Sequence, residues 1–309
     1  MKTAHPQSTS SVFMVVPTTF GFDEQTAKTN TFQHHLQSSP YRIRVAAMAE
    51  FEAYVAALRA HDIAVHVFTD TDDAYKPNAI FPNNWLSTWP DGTIYTYPMA
   101  TASRRAERSE AALDLLRDNF KVPRVVDLSA SEQHGRHLEG TGAIVFDHAN
   151  RIGYACLSAR CDESLFTEHM QALGYTPWLF HATDKHDTPI YHTNVLLNIQ
   201  EHTVVVCSDS IHDRHRAELL TSLGNGGRQI IDISYAQMLK FCGNVLGVKN
   251  IIGEPFIILS RTAYDVFTPA QRRVLATSGT LLPVAIPTIE TIGGGSARCM
   301  LAEIFLPRA

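Results

Sequence analysis

Apolar residues along this chain recur in short runs that switch between strand-like and helix-like spacing. Ser11–Val16 is apolar and β-branched and is halted by Pro17, which predicts a strand. Between Tyr41 and Ala60 the apolar positions Val45, Met48, Phe51, Val55 and Leu58 stand three or four apart, the spacing of an amphipathic helix. Ile63–Phe68 predicts a second strand. From there one order repeats: two strands joined by a tight turn, a helix, and a further strand. The first repeat has strands at Phe81–Thr88 and Thr93–Tyr97 around Pro90-Asp91-Gly92, a helix over Arg104–Phe120 and a strand at Arg124–Leu128. The second has strands at Gly142–Asp147 and Ile152–Leu157, a helix over Asp162–Leu173 and a strand at Tyr175–Phe180. The third has Tyr191–Ile199, Thr203–Cys207, a helix over Asp213–Leu223, a strand at Gln229–Ile233 and a short helix near Ala236–Phe241. The fourth has Asn244–Val248, Phe256–Leu259, a helix over Pro269–Thr277 and a strand at Leu281–Ala285. Arg298–Phe305 reads as a lone strand whose hairpin partner is expected in Val12–Val16.

The unit strand–strand–helix–strand thus recurs about five times at roughly 50-residue spacing, with the two ends of the chain completing one copy. Asn194-Val195-Leu196 is echoed by Asn244-Val245-Leu246 in the next unit. An α/β ring of such units predicts one domain over residues 11–309, with residues 1–10 a frayed polar tail. The plain alternative is an irregular α+β protein with a chance three-residue match.

Composition narrows the partners. The chain has 309 residues, 45% hydrophobic and 18% charged, with a formal net charge of −5, so it can bury a large core and is no general nucleic-acid binder. No apolar run approaches the ~20 residues that cross a bilayer, and no secretion signal is evident. Five cysteines, an odd number in so long a chain, fit reduced thiols in the cytoplasm better than a disulfide framework. No membrane partner is expected, and self-association is compatible with the sequence.

Chemistry gathers at the start of each unit. The starts read Pro82-Asn83-Asn84-Trp85, Leu138-Glu139-Gly140-Thr141-Gly142, Tyr191-His192-Thr193-Asn194, Cys242-Gly243-Asn244-Val245 and Ser296-Ala297-Arg298-Cys299. Pseudo-rotation of the units brings these starts together. The set then holds a nucleophile (Cys299), a proton carrier (His192), a carboxylate to orient it (Glu139) and neutral amides (Asn83, Asn84, Asn194, Asn244). Gly293-Gly294-Gly295 precedes the cysteine and allows close backbone approach; with Arg298 alongside, a depressed thiol pKa is expected on what reads as a strand edge.

These residues resemble the guanidine-modifying, or pentein, superfamily of arginine deiminases, dimethylarginine hydrolases and amidinotransferases. The similarity rests on Phe81-Pro82-Asn83-Asn84, Arg104-Arg105-x-Glu107, Leu138-Glu139-Gly140, Leu157-Ser158-x-Arg160, His192-x-Asn194, Gly243-Asn244-Val245-Leu246 and Gly293-Gly294-Gly295-x-x-x-Cys299. It is nearest to the branch of citrulline-utilisation hydrolases (citrulline ureidases). The resemblance implies a five-bladed α/β-propeller acting without a cofactor on a small amino-acid substrate. It implies that Cys299 attacks the planar carbon of a guanidino or ureido group, with His192 handling protons and Glu139 holding the imidazole or a substrate N–H. Arg160 and Arg105 correspond to residues that grip the substrate carboxylate, although Arg104, Arg105 and Arg108 read equally well as a solvated helix start.

Deiminases acting on a cationic guanidinium place acids where this chain has Asn84 and Asn194. A carboxamide both donates and accepts, which suits a neutral ureido group better. The expectation is citrulline hydrolysis to ornithine, ammonia and carbon dioxide, with Arg298 and a protonated His192 supplying the field that stabilises the thiolate. The alternatives are an arginine or methylarginine hydrolase, an amidinotransferase, and a non-catalytic amino-acid-binding or ribosome-associated pentein. His134, His137, His212 and His215 lack metal-ligand spacing, so no metal is expected.

Overall fold

The unit predicted from the apolar spacing is present five times in the computed structural model, which describes residues 5–71 and 74–309. Each copy is a three-stranded sheet in which the middle strand runs antiparallel to the first and parallel to the third. A parallel neighbour cannot be reached by a tight turn, so a helical crossover separates the second and third strands of every unit. The sheets are Leu86–Thr88, Thr93–Thr96 and Arg124–Asp127; Val145–Asp147, Ile152–Cys156 and Thr176–Phe180; Leu197–Ile199, Thr203–Val206 and Gln229–Asp232; and Leu246–Lys249, Pro255–Ser260 and Thr280–Val284. The fifth joins the ends of the chain, pairing Ser11–Val15 with both Ala302–Glu303 and Ala64–Phe68. The expected partnership of the terminal strand with Val12–Val16 is therefore present, with Val12 opposite Glu303 and Phe13 opposite Ala302.

Crossover helices in four of the five units begin on side-chain caps, the exception being Asp213–Leu223. Ser39, Ser109, Asp162 and Thr268 each accept a backbone N–H of the first turn, worth about 1 kcal/mol apiece. The long helix Pro40–Ala60 buries Ile43, Ala47, Phe51, Tyr54, Val55 and Leu58, a face one step round from the expected one, so Val45 faces solvent. The helix expected over Arg104–Phe120 is broken. Ala102–Arg105 forms one turn, and a new helix starts at Glu110 because Ser109 caps it. Pro269–Thr277 is likewise preceded by a separate helix at Arg261–Val266.

Hydrogen bonds link the units in cyclic order. The Thr88 hydroxyl donates to the Glu303 carbonyl at 2.9 Å, and the Thr141 hydroxyl donates to the Asn83 carbonyl at 3.3 Å. The Thr193 hydroxyl donates to the Ala143 carbonyl at 2.6 Å, and Asn244 Nδ2 to the Asn194 carbonyl at 3.0 Å. The Arg298 backbone N–H closes the series on Asn244 Oδ1 at 3.1 Å. The apolar core follows the same plan, lying as seams between neighbouring sheets and under the outer helices.

The frayed tail expected over residues 1–10 does not extend to His5–Ser10. His5 stacks on His148, Gln7 Nε2 donates to the Phe146 carbonyl, and the Thr9 hydroxyl donates to the Ile304 carbonyl. Residues 1–4 of that expectation lie outside the described residues. No helix among the described residues is long and apolar enough to cross a membrane.

Candidate active site

The unit starts read as strands in the sequence are mostly single helical turns that deliver side chains inward before each inner strand. Pro82–Asn84, Gly140–Ala143, Thr193–Val195 and Ala297–Met300 all take this form. Cys299 thus lies in a short helical turn, not on a strand edge. The glycines before it end a helix, Pro287–Gly293, that the sequence reading missed. Gly294 is the left-handed cap of that helix (φ 62°), and a Cβ there would press on Asn30 and Gln33. Gly293 and Gly295 lie against the Phe81 ring. Close approach is what these glycines supply.

The buried Cys299 sulfur is met by two amides. Asn244 Nδ2 lies 3.2 Å from Sγ and Asn194 Nδ2 lies 3.6 Å away, both as donors, while Asn194 Oδ1 is 3.8 Å off. The cationic field expected from Arg298 is absent at the sulfur. Its guanidinium turns to Glu303 (3.3 Å) and the Leu301 carbonyl, and it lines a different cavity with Gln7, Asn198 and Gly247.

His192 and Glu139 form a buried pair, with Nε2 2.7 Å from Oε2. Burial pushes the imidazole down to about 4 and outweighs the pull of Glu139 in the other direction, with Arg160 and Arg104 adding to the depression. Neutral His192, not the protonated ring expected from the sequence, is therefore the form at neutral pH. Burial alone would raise the Glu139 carboxyl, but Arg160, His192 and Arg104 hold it well below the usual carboxylate range. With Nε2 donating to Glu139, Nδ1 is the nitrogen left to accept a proton.

Arg160 is buried, donating to Glu139 at 3.1 Å from Nη1, and to the Thr26 carbonyl and the Thr29 hydroxyl from Nη2. Its Nε has no partner, and the guanidinium lies 5.4 Å from the centre of the Tyr191 ring. Arg105 does not join it. Adjacent residues on a helical turn point about 100° apart, so Arg104 turns inward and Arg105 outward. Arg105 is 36% exposed and reaches Glu132 and the Met99 carbonyl. Arg104, which the sequence left among surface charges, is the second buried cation lining the pocket. It grips Glu107 with Nε and Nη2 at 2.9 and 2.8 Å and donates from Nη1 to Asn84 Oδ1 at 2.7 Å.

Cys299, His192, Arg160, Arg104 and Asn84 line one narrow, tightly packed pocket. Asn83 does not line it; its carboxamide is buried without a hydrogen-bond partner, and its backbone carbonyl serves Thr141. Asn194 and Asn244 reach the sulfur from behind, and Glu139 backs His192. The roof is a segment for which the sequence reading offered no element. Thr26 and Asn30 line the cavity, Asn30 Nδ2 donates to the Gly294 carbonyl, and Gln33 Nε2 to the Ile292 carbonyl. Asp23 anchors this strap by accepting from Ser103 and Asn78. Asn78 also lines the cavity, and the one sequence signal for it was an amide amid apolar neighbours just before Phe81.

A thiol beneath two amide donors, lining one pocket with a neutral imidazole backed by a carboxylate, can attack a planar electrophilic carbon and move the protons that follow. No curated protein sequence matches the chain. Among solved structures, it superposes on the N-terminal domain of ArgZ, an arginine dihydrolase from the ornithine-ammonia cycle in Cyanobacteria, solved as a cysteine-to-serine variant bound to substrate. The TM-score is 0.71 at 13% identity, over 96% of this chain and 99% of that one. A cysteine-to-alanine variant of AgrE in complex with L-arginine gives 0.73 at 14% identity, over 96% of this chain but 40% of the longer AgrE chain. A dimethylarginine dimethylaminohydrolase adduct with S-methyl-L-thiocitrulline gives 0.63 at 13% identity, over 95% and 98%. The model of the family described as N,N dimethylarginine dimethylhydrolase, eukaryotic, matches residues 16–306, and with that match the chain belongs to this family of the pentein superfamily.

Proposed function

We propose that the protein is a cysteine-dependent hydrolase of a terminal guanidino or ureido group on a small amino acid. The observation that carries the reading is the convergence, at one pocket, of Cys299 under two amide donors with the His192–Glu139 pair and two buried arginines. Cys299 Sγ attacks the planar carbon, and the amides of Asn194 and Asn244 favour negative charge on sulfur. His192 Nδ1 takes up the thiol proton and returns it to the departing nitrogen as the C–N bond breaks. Water, deprotonated by the same imidazole, then adds to the carbon, and the C–S bond cleaves to regenerate the thiol. Arg160, with its unpartnered Nε, holds the carboxylate end.

The relatives act on or bind arginine and methylated arginine, which puts the guanidino group first. One observation favours citrulline as a second reading. Glu139, Glu107 and Asp23 are already engaged by arginines or by neighbouring donors, so amides rather than a free carboxylate face the reacting group. The cyclic bonding of the units, with the two chain ends sharing one sheet, supports a single five-bladed α/β-propeller over residues 11–309. No cofactor or metal enters this chemistry.

Purified protein incubated separately with citrulline, arginine and N-methylated arginines, with ornithine, citrulline, ammonia and methylamines quantified, tests the reading. Ornithine from citrulline identifies a ureidase, and citrulline from an arginine identifies the guanidino reading. Either activity is expected to vanish in Cys299→Ser. No turnover of any of these compounds would refute the proposal.

A further inference from the structure

Resting on that reading, we propose that Arg104 and Glu107 form a positioning pair that fixes Asn84 as a hydrogen-bond donor to the substrate's reacting group, and thereby selects for an acceptor atom there. A carboxamide has one accepting end and one donating end, and which end faces a ligand decides what it recognises. A guanidinium has five N–H donors and no acceptor, so the amide end it meets must be the oxygen. Arg104 Nη1 meets Asn84 Oδ1 at 2.7 Å, which leaves Nδ2 as the end free to serve the cavity.

Arg104 is itself held from two sides. Glu107, buried beside it, takes the bidentate bond through Nε and Nη2. Nη2 also donates to the carbonyl of Phe81, at 3.2 Å, on the very turn that carries Asn84. Guanidinium and carboxamide therefore move as one body. Asn84 Nδ2 is buried and has no partner among the described residues, and Asn84 lines the pocket with His192 and Cys299. A buried, unpartnered donor is costly to leave unmade, so it marks a place reserved for a ligand acceptor. Gly142 supports the arrangement: a Cβ there would overlap Asn84 Nδ2 and come within 2.8 Å of His192 Nδ1, which puts the donor alongside the proton-accepting nitrogen.

A ureido group brings an accepting carbonyl oxygen to that donor. A guanidinium brings only N–H groups, and donor would face donor. The pair therefore favours citrulline over arginine, although Glu107 does not line the cavity at all.

The two compounds share the same amino-acid end and differ only at the reacting group. Any weakening of the carboxylate grip cancels in the ratio of their kcat/KM values, while a change in the hand of Asn84 does not. That ratio is to be measured for the native protein, Arg104→Lys, Glu107→Gln and Asn84→Asp, with folding checked by circular dichroism and Tm. The expected result is a preference for citrulline that falls at least about tenfold in both Arg104→Lys and Glu107→Gln, and at least as far in Asn84→Asp. Glu107→Gln keeps the shape of the pair and guards against the loss of fold that removing a buried arginine can bring. A native preference for arginine overturns the inference and leaves the hydrolase reading standing. An unchanged ratio in folded variants with lowered rates makes Arg104 and Glu107 merely structural and likewise overturns it. A native protein inert on both compounds and on methylated arginines removes the hydrolase reading, and the inference with it.

Discussion

At the scale of single residues, the site depends on side chains that are absent as much as on those present. Gly142 has φ outside the left-handed region, so alanine would be tolerated by its backbone; the conflict lies with Asn84 Nδ2 and His192 Nδ1. Gly142→Ala is expected to lower kcat about 100-fold by displacing these groups a fraction of an ångström to an ångström, with Tm lowered by only a few degrees. Steady-state kinetics beside a thermal melt checks this, and a melt that collapses with the activity would mean the glycine serves the fold instead. Glu139→Gln tests a different link. The carboxylate draws His192 toward protonation against the effect of burial, and it fixes Nε2 as the donor. An amide at the same place can offer its NH2 to the ring and invert the tautomer, so kcat should fall by about 10²–10⁴. Substrate binding, read by calorimetry in the Cys299→Ser background, should change far less.

At the scale of elements, the recurring turns and the strap divide the work. Two of the unit starts press a glycine on the preceding unit: Gly140 against the Asn83 carbonyl and Gly243 against the Val195 carbonyl. These contacts set how far each functional side chain projects. The repeat was legible in sequence because period-two and period-3.6 spacing alternate in a fixed order, and the convergence of Cys299, His192 and Glu139 follows from that order. The turns themselves were not legible. Asn, Gly and Thr before an apolar run suit a strand start and a single helical turn equally, since one turn is too short to show a period. The choice between Arg104 and Arg105 was hidden for a related reason: the helix break at Ser109 sets the phase of the turn before it. The strap was hidden because its few internal bonds make only a short turn at Thr26–Lys28, too brief to show a period, while Asn30 and Gln33 tie it to residues 264 and 259 positions away in the chain. That gives a prediction. Gln33 joins the Thr26 hydroxyl (2.6 Å) to the Ile292 carbonyl (3.1 Å) without lining the cavity. Gln33→Ala should speed hydrogen exchange across residues 23–34 and raise KM, while exchange in the five sheets stays as it was. Exchange that accelerates throughout would make the strap part of the global folding unit.

At the scale of the whole molecule, five small sheets must hold together, and His5–Thr9 bonds or packs against all of them. Gln7 Nε2 donates to the carbonyls of Phe146 and Ile199, which lie in successive units, and its Oε1 accepts from the His148 N–H at 2.9 Å. Thr9 bonds to Ile304 in the sheet shared by the chain ends, and its carbonyl accepts from the Lys249 N–H at 2.8 Å. His5 packs on His148 and Trp89. Five residues thus touch every unit, so removing residues 1–10 should lower Tm by several degrees or more and reduce the cooperativity of the melt. The same segment makes the molecule sensitive to acid. Burial lowers His5 and His169 to about 4, as it does His192, and lowers His148 well below its ordinary value. In the unfolded chain these rings take up protons near 6.5, so between about 6.5 and 4 the unfolded state binds more protons than the folded one. Stability is then fully present above about 6.5 and is lost as pH falls toward 4. Urea unfolding across that range is expected to show a steep decline, made shallower in His5→Phe, which keeps the ring on His148 without a titrating nitrogen. A decline of equal steepness in His5→Phe would assign the acid sensitivity to His148, His169 and His192 and leave the amino-terminal segment as a staple alone.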